Sequence, residues 1–174
     1  MSSERIAWAV ERLGIRPRHR VLEAGCGHGV AVSLIAERLD GGVVLAIDRS
    51  PRMIEAATRR NAARIAAGVV ALQRAELADA DLGEEPFDRV LAIHLPVLQR
   101  GDPARELAVL RDHMAPDAEL HVSFRPHRPA EVEPIAAHVR GALEANGFAV
   151  ARVETADLAS GRVASVVGAP RDSG

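Results

Sequence analysis

The chain contains no lysine and no tyrosine; all 22 of its basic residues are arginine, and its aromatic residues are three phenylalanines and one tryptophan. Without a lysine amine, Schiff-base and pyridoxal phosphate mechanisms are excluded. So few rings cannot build a base-stacking platform for single-stranded nucleic acid. A formal net charge of −2 gives no electrostatic pull toward nucleic acid or a membrane surface. The lone cysteine, Cys26, permits no internal disulfide. Neither a secretory signal pattern nor an apolar run of membrane-spanning length appears, so a reduced, cytoplasmic setting is expected. The seven histidines nowhere pair with cysteine or acid at metal-ligand spacing, and no metal site is expected. At 174 residues the chain suits one domain with a substantial core and little left for a second.

What the sequence does have is concentrated in one stretch. Val21-Leu22-Glu23-Ala24 reads as a short buried strand, and Gly25, Gly27 and Gly29 then turn the backbone into a helix beginning near Val30. Glycines are needed where φ is positive or where a ligand lies on the backbone. Alternate glycines are also expected to aim free amides into the crevice above the strand, beside the positive end of the following helix. A dinucleotide fingerprint would place its third glycine at position 30, where this chain has Val30.

Strand and helix then alternate. A helix is expected over 30–39, a strand from Val43 to Ile47 ending at Asp48, and a helix from Pro51, capped by Ser50, to about Ala67. Asp48 follows Gly25 at about the 20-residue distance of an acid that grips ribose hydroxyls. Further strands are expected at 69–73, 89–94 and 119–124. Helices are expected after Asp102-Pro103 and over the stripe Ile135, Val139, Leu143, ending at Gly147. Two last strands, 148–153 and 162–167, close the pattern. The expected fold is α/β: a Rossmann-like, doubly wound, mostly parallel seven-stranded sheet with a C-terminal antiparallel pair, in three αβα layers. Residues 1–14 form an amphipathic helix, 15–170 the main domain and 171–174 a tail. Trp8 on that helix is either a roof for the pocket or an anchor to the core.

Glu23-Ala24-Gly25-Cys26-Gly27-His28-Gly29 resembles motif I of the class I S-adenosylmethionine-dependent methyltransferases, Asp/Glu-x-Gly-x-Gly-x-Gly, at every position. Asp48-Arg49-Ser50-Pro51-Arg52-Met53 resembles the second motif, and the strand order resembles that core over nearly the whole chain. The resemblance implies S-adenosylmethionine as cofactor, held by Glu23, Gly25, Cys26, Gly27, Gly29, Asp48, Arg49 and Met53. Met53 would lie near adenosine, or serve only as helix core. Where the family carries Gly-Asp-Ala for the adenine, this chain has Arg74-Ala75-Glu76, so Ala75 and Glu76 are the adenine-side candidates. Pro116-Asp117-Ala118 resembles the family's Pro-Gly-Gly turn.

His94, after the fourth strand, is the candidate catalytic base, or else lines the methionine pocket through its backbone; His127 and Arg128 read as exposed loop residues. Relatives that methylate base amines carry Asn/Asp-Pro-Pro and an aromatic where this chain has His94-Leu95-Pro96-Val97. The implied acceptor is therefore a small molecule rather than nucleic acid or membrane, with a second copy of the chain as a candidate partner. Two readings compete: a non-catalytic cofactor-binding or scaffold subunit, and a nicotinamide oxidoreductase, against which Val30 counts.

Overall fold

Beyond Arg20, every residue of strand β1 (Arg20–Ala24) is buried, the pattern of a strand covered on both faces. The computed structural model, which describes residues 3–171, puts β1 near the middle of a seven-stranded sheet of order β3-β2-β1-β4-β5-β7-β6. Its partners are β2 (Val43–Asp48), β3 (Val70–Arg74), β4 (Phe87–Ile93), β5 (Met114–Phe124), β6 (Phe148–Leu158) and β7 (Gly161–Pro170). β7 runs antiparallel to both β5 and β6, and the other pairings are parallel. The expected tail lies outside the described residues except for Arg171.

Alternation along the strands separates two cores. Val21 packs with Val10 of α1 (Ser3–Arg12), Leu13 just past its end, Ile35 of α2 (Val30–Ala36) and Ala57 of α3 (Pro51–Ala66). Leu22 and Ala24 face the other way, toward Leu98 of α4 (Pro96–Arg100), Leu107 of α5 (Ala104–Asp112) and Val139 of α6 (Val132–Ala145). Helices therefore cover both faces, and the winding reverses between β1 and β4. That reversal leaves a crevice at the carboxyl ends of the strands, where open α/β sheets bind ligands.

The structure departs from expectation in several places: β5 starts at Met114 rather than 119, and β6 runs to Leu158 rather than 153. α2 stops at Ala36, with Glu37 as its cap, instead of reaching residue 39. α4 was not anticipated; Pro96 at its first turn sets the required φ. Pro116-Asp117-Ala118 is not a left-handed turn. It lies inside β5, where pairing jumps from Phe87↔Met114 to Arg89↔Glu119, and the extra residues bulge. Ala118 is fully buried, which anchors the bulge, and among the described residues His94 alone carries a positive φ without being glycine.

Candidate functional site

The crevice above β1 and β4 has a volume of about 310 Å³, the lower end of the range for small-ligand sites. Gly25 and Asp48 line it from the ends of β1 and β2, Ala75 and Glu76 from the segment after β3, and His94 and Leu95 from the segment after β4. Arg49 belongs to the same wall. Six of the residues singled out in the sequence thus meet in one place.

The remaining predicted residues support the loop from beneath or lie off the lining. Gly25, Gly27 and Gly29 have φ of 78°, 52° and 72°, so each occupies the region that penalises a side chain. The expectation of free loop amides does not hold. Gly25 and Cys26 both donate to the Ile47 carbonyl at 2.9 Å, Gly29 donates to the Cys26 carbonyl at 2.9 Å, and Gly27 donates to Asp48 Oδ2 at 2.9 Å. With the three glycine amides and that of Cys26 already paired, what these positions offer a ligand is space: a Cβ on Gly25 would come within 3.1 Å of Leu95 Cδ1. Met53 lies off the lining, on the first turn of α3, with its backbone amide directed to Ser50.

Asp48 is the most constrained polar group of the crevice. Besides the Gly27 bond, its Oδ1 accepts from the Ser50 amide at 2.8 Å. Two backbone donors thus fix the carboxylate between the glycine loop and the start of α3, leaving further lone pairs for a ligand.

Glu23 is buried beneath the loop with Oε2 lacking a hydrogen-bond partner. Burial pushes its carboxyl up to about 8; the backbone amide of Val32 opposes this and the Asp48 charge adds to it. The same burial, with the charges of Glu23 and Asp48, raises the Cys26 thiol, so Cys26 is no thiolate nucleophile. His94 has φ 53° and donates its amide to the Ser123 carbonyl at 3.0 Å, which turns the chain out of β4 toward α4. Burial lowers its ring to about 4, helped by Arg5, Arg125 and His127, and Nε2 is buried without a partner. Strain of this kind in a non-glycine residue gathers at functional sites.

Sequence reasoning missed Ile47, Leu77, Leu95, Pro96, Val97 and Glu106 of the lining. Leu77, Pro96 and Val97 stand just past β3 and β4, so a rule of reading every residue beyond a parallel strand's carboxyl end would have found them. Glu106 on α5 left no such signal.

The family model for a methyltransferase domain matches residues 21–117, more than half of the chain, from Val21 in β1 through the start of β5. The chain belongs to the class I S-adenosylmethionine-dependent methyltransferases. Trans-aconitate 2-methyltransferase of Mycobacterium tuberculosis is 41% identical over 51 residues, which is 29% of this chain and 20% of that enzyme. The match therefore spans about a fifth of the curated relative's length. Magnesium protoporphyrin IX methyltransferase from Synechocystis PCC 6803, solved with bound S-adenosylhomocysteine, superposes with TM-score 0.73 at 19% identity, over 97% of this chain and 82% of that one. The 4+2 cyclase SpnF superposes with TM-score 0.78 at 15% identity, over 97% of this chain and 81% of that one. At such identities the likeness shows the fold alone.

The residues of this chain fit the family's cofactor, S-adenosylmethionine. A fixed carboxylate at the crevice suits a ribose diol, and the absent Cβ of Gly25 leaves room on the backbone. Among the described residues no helix is long and apolar enough to cross a membrane.

Proposed function

We propose that this methyltransferase moves a methyl group from S-adenosylmethionine to a small-molecule acceptor, with the crevice as its site. The observation that carries the reading is the Asp48 carboxylate, fixed by the Gly27 and Ser50 amides at the crevice wall. Asp48 holds the two ribose hydroxyls, Ala75 and Glu76 take the adenine end, and Gly25 takes the methionine end above Glu23. When bound, the cofactor supplies a methyl group already activated by its sulfonium charge. The protein's task is then alignment and exclusion of water, which contribute several kcal/mol to such reactions.

His94 lines the crevice next to the approach of the acceptor. A ring lowered to about 4 is neutral at pH 7 but a weak base. That favours an acceptor arriving without a proton to lose, and it makes His94 a contact for the acceptor rather than a strong base. The mycobacterial relative, by its name, methylates a small organic molecule, which supports the same acceptor class. Nucleic-acid bases fit poorly, because the amide, the first proline and the stacking ring of base-amine methyltransferases are missing at 94–97.

Calorimetry with S-adenosylhomocysteine tests the site. Asp48→Asn should weaken binding tenfold or more, since hydrogen bonds to a charged group contribute about 1.5–3 kcal/mol each. No binding by the parent protein would sink the reading. Cell extract incubated with labelled S-adenosylmethionine and resolved by mass spectrometry tests the acceptor: label in RNA, DNA or protein instead of a metabolite overturns the acceptor class. Binding without turnover in every fraction would favour instead a cofactor-binding protein that does not methylate.

A further inference from the structure

Glu106 lines the crevice from the first turn of α5, and none of the roles above uses it. Of the polar side chains on the lining, Asp48, Glu76 and Glu106 carry carboxylates and Arg49 a guanidinium. We propose that Glu106 accepts from the exocyclic amine of the cofactor's adenine and makes the site selective for that base, an inference that rests on the methyltransferase reading above.

Placement is the first argument. α5 packs against the short helical turn Leu77–Asp79, which directly follows Ala75 and Glu76. Leu77 and Leu107 share one core cluster, and Arg105 pairs with Asp79 at 2.8 Å. Glu106 therefore sits between two residues that tie α5 to that turn, and it borders the adenine end of the crevice. His94 and Leu95 bound the crevice from the segment after β4 instead. Ile47, Leu77 and Val97 add an apolar wall suited to a flat base.

Availability is the second. Glu106 is half-buried, yet among the described residues it has no hydrogen bond or ion pair. The other groups at this end are engaged or turned outward. Asp48 accepts from the Gly27 and Ser50 amides and faces the ribose. Glu76 is exposed, on extended backbone. Ala75 has no polar side chain, and its amide donates to the Asp48 carbonyl at 3.2 Å. A place in the first turn of a helix also favours the charge of the Glu106 carboxylate.

The cofactor's own donors complete the case. They are the ribose hydroxyls, the ammonium of its amino-acid end and the adenine amine. The hydroxyls meet Asp48 and the ammonium lies toward Gly25, which leaves the amine for Glu106. An N–H that meets a carboxylate makes a charge-assisted hydrogen bond. A site built to accept from such a group rejects an analogue without it, because its own acceptor is left unpaired. Hypoxanthine carries a carbonyl oxygen in place of the amine, so it would set two acceptors against each other.

The test is calorimetry on the full chain with S-adenosylhomocysteine and with S-inosylhomocysteine, its deaminated analogue. The parent should prefer the adenine compound by about tenfold or more. Glu106→Gln should bring the two within about threefold, because a glutamine amide donates to a carbonyl oxygen as readily as it accepts from an amine. Asp48→Asn acts on the ribose common to both, so it should weaken both alike and keep the preference. Equal binding by the parent, an unchanged preference in Glu106→Gln, or a preference lost in Glu76→Gln instead overturns the inference. If Glu106→Gln fails to fold, Glu106→Asp decides. Withdrawing the carboxylate by one methylene should weaken S-adenosylhomocysteine more than S-inosylhomocysteine, and equal effects overturn the inference. Binding of neither compound by the parent sinks the methyltransferase reading and this inference with it, whereas tight binding of both without a base preference sinks this inference alone.

Discussion

Asn61 Nδ2 donates to the Gly29 carbonyl at 3.1 Å, and a Cβ on Gly29 would sit 2.8 Å from that same nitrogen. Asn61 is fully buried, also donates to the Ala57 carbonyl at 3.1 Å, and accepts from Ser33 Oγ at 2.8 Å. The third glycine of the loop is therefore required by α3, which packs directly onto it, and not by a ligand. Gly29→Ala should destabilise the protein by about 2–4 kcal/mol, combining a left-handed φ with overpacking. In an Asn61→Ala background the cost should shrink but not vanish, because Ala57 Cβ would still lie at 2.9 Å. Urea denaturation of the four proteins measures the coupling, and strictly additive losses would refute it.

Glu23 predicts a stability that depends on pH in an unusual direction. Its folded carboxyl titrates near 8 against an ordinary value of 4.5, so the folded chain holds a proton that the unfolded chain has already released. Its contribution is fully present below about pH 4.5 and is lost as pH rises toward 8, with a slope of at most about 1.4 kcal/mol per pH unit. Glu23→Gln cannot release that proton. Its stability relative to the parent should therefore grow between pH 5 and 8 and level off above. Denaturation midpoints at pH 5, 6.5 and 8.5 check this, and a difference that stays flat with pH would be evidence against it.

The order of strands was legible because each strand carries its own apolar run and each crossover its own helical stripe. The carboxyl-end rule then placed Gly25, Asp48 and His94 at one crevice without coordinates. What stayed hidden was pairing across the sheet and between helices. Glu119 and Arg152 form two hydrogen bonds at 2.7 and 3.1 Å, yet they are separated in sequence by α6 and in the sheet by β7. Asn61 reads as one more polar position on an arginine-rich helix, and only the close approach of Gly29 explains its burial. The loop's donors were misjudged because nothing local in the sequence reveals that the Ile47 carbonyl curls into them.

His94 gives a second pH signature, of opposite sign. Burial and the charges of Arg5, Arg125 and His127 hold its folded value near 4, against an ordinary 6.5. The unfolded chain takes up a proton first, so the contribution is present above about pH 6.5 and is lost as pH falls toward 4. Proton NMR of the ring should show a titration near 4 in the parent, moving upward in Arg125→Gln as one repelling charge is removed. His94→Asn, which tolerates the left-handed φ, should lose this part of the acid sensitivity. A parent ring titrating at its ordinary value would remove the premise.

The amphipathic N-terminal segment looked in the sequence like an element free to serve as a cover. In the structure it belongs to the core: Ile6, Ala9, Val10 and Leu13 are all buried, and the Leu13 carbonyl accepts from Arg89 Nε at 2.8 Å. Each large apolar side chain buried this way contributes about 1.5–3 kcal/mol, against about 5–15 kcal/mol for the net stability of a typical domain. Removing residues 1–13 should therefore lower the melting temperature sharply or abolish cooperative unfolding, rather than merely loosen the site. Trp8→Ala separates the two roles, because Trp8 is only half-buried and lines a small opening together with His94. That variant should keep most of the stability and unchanged S-adenosylhomocysteine affinity. A truncated protein that melts cooperatively at the parent temperature would show that α1 is dispensable to the core after all.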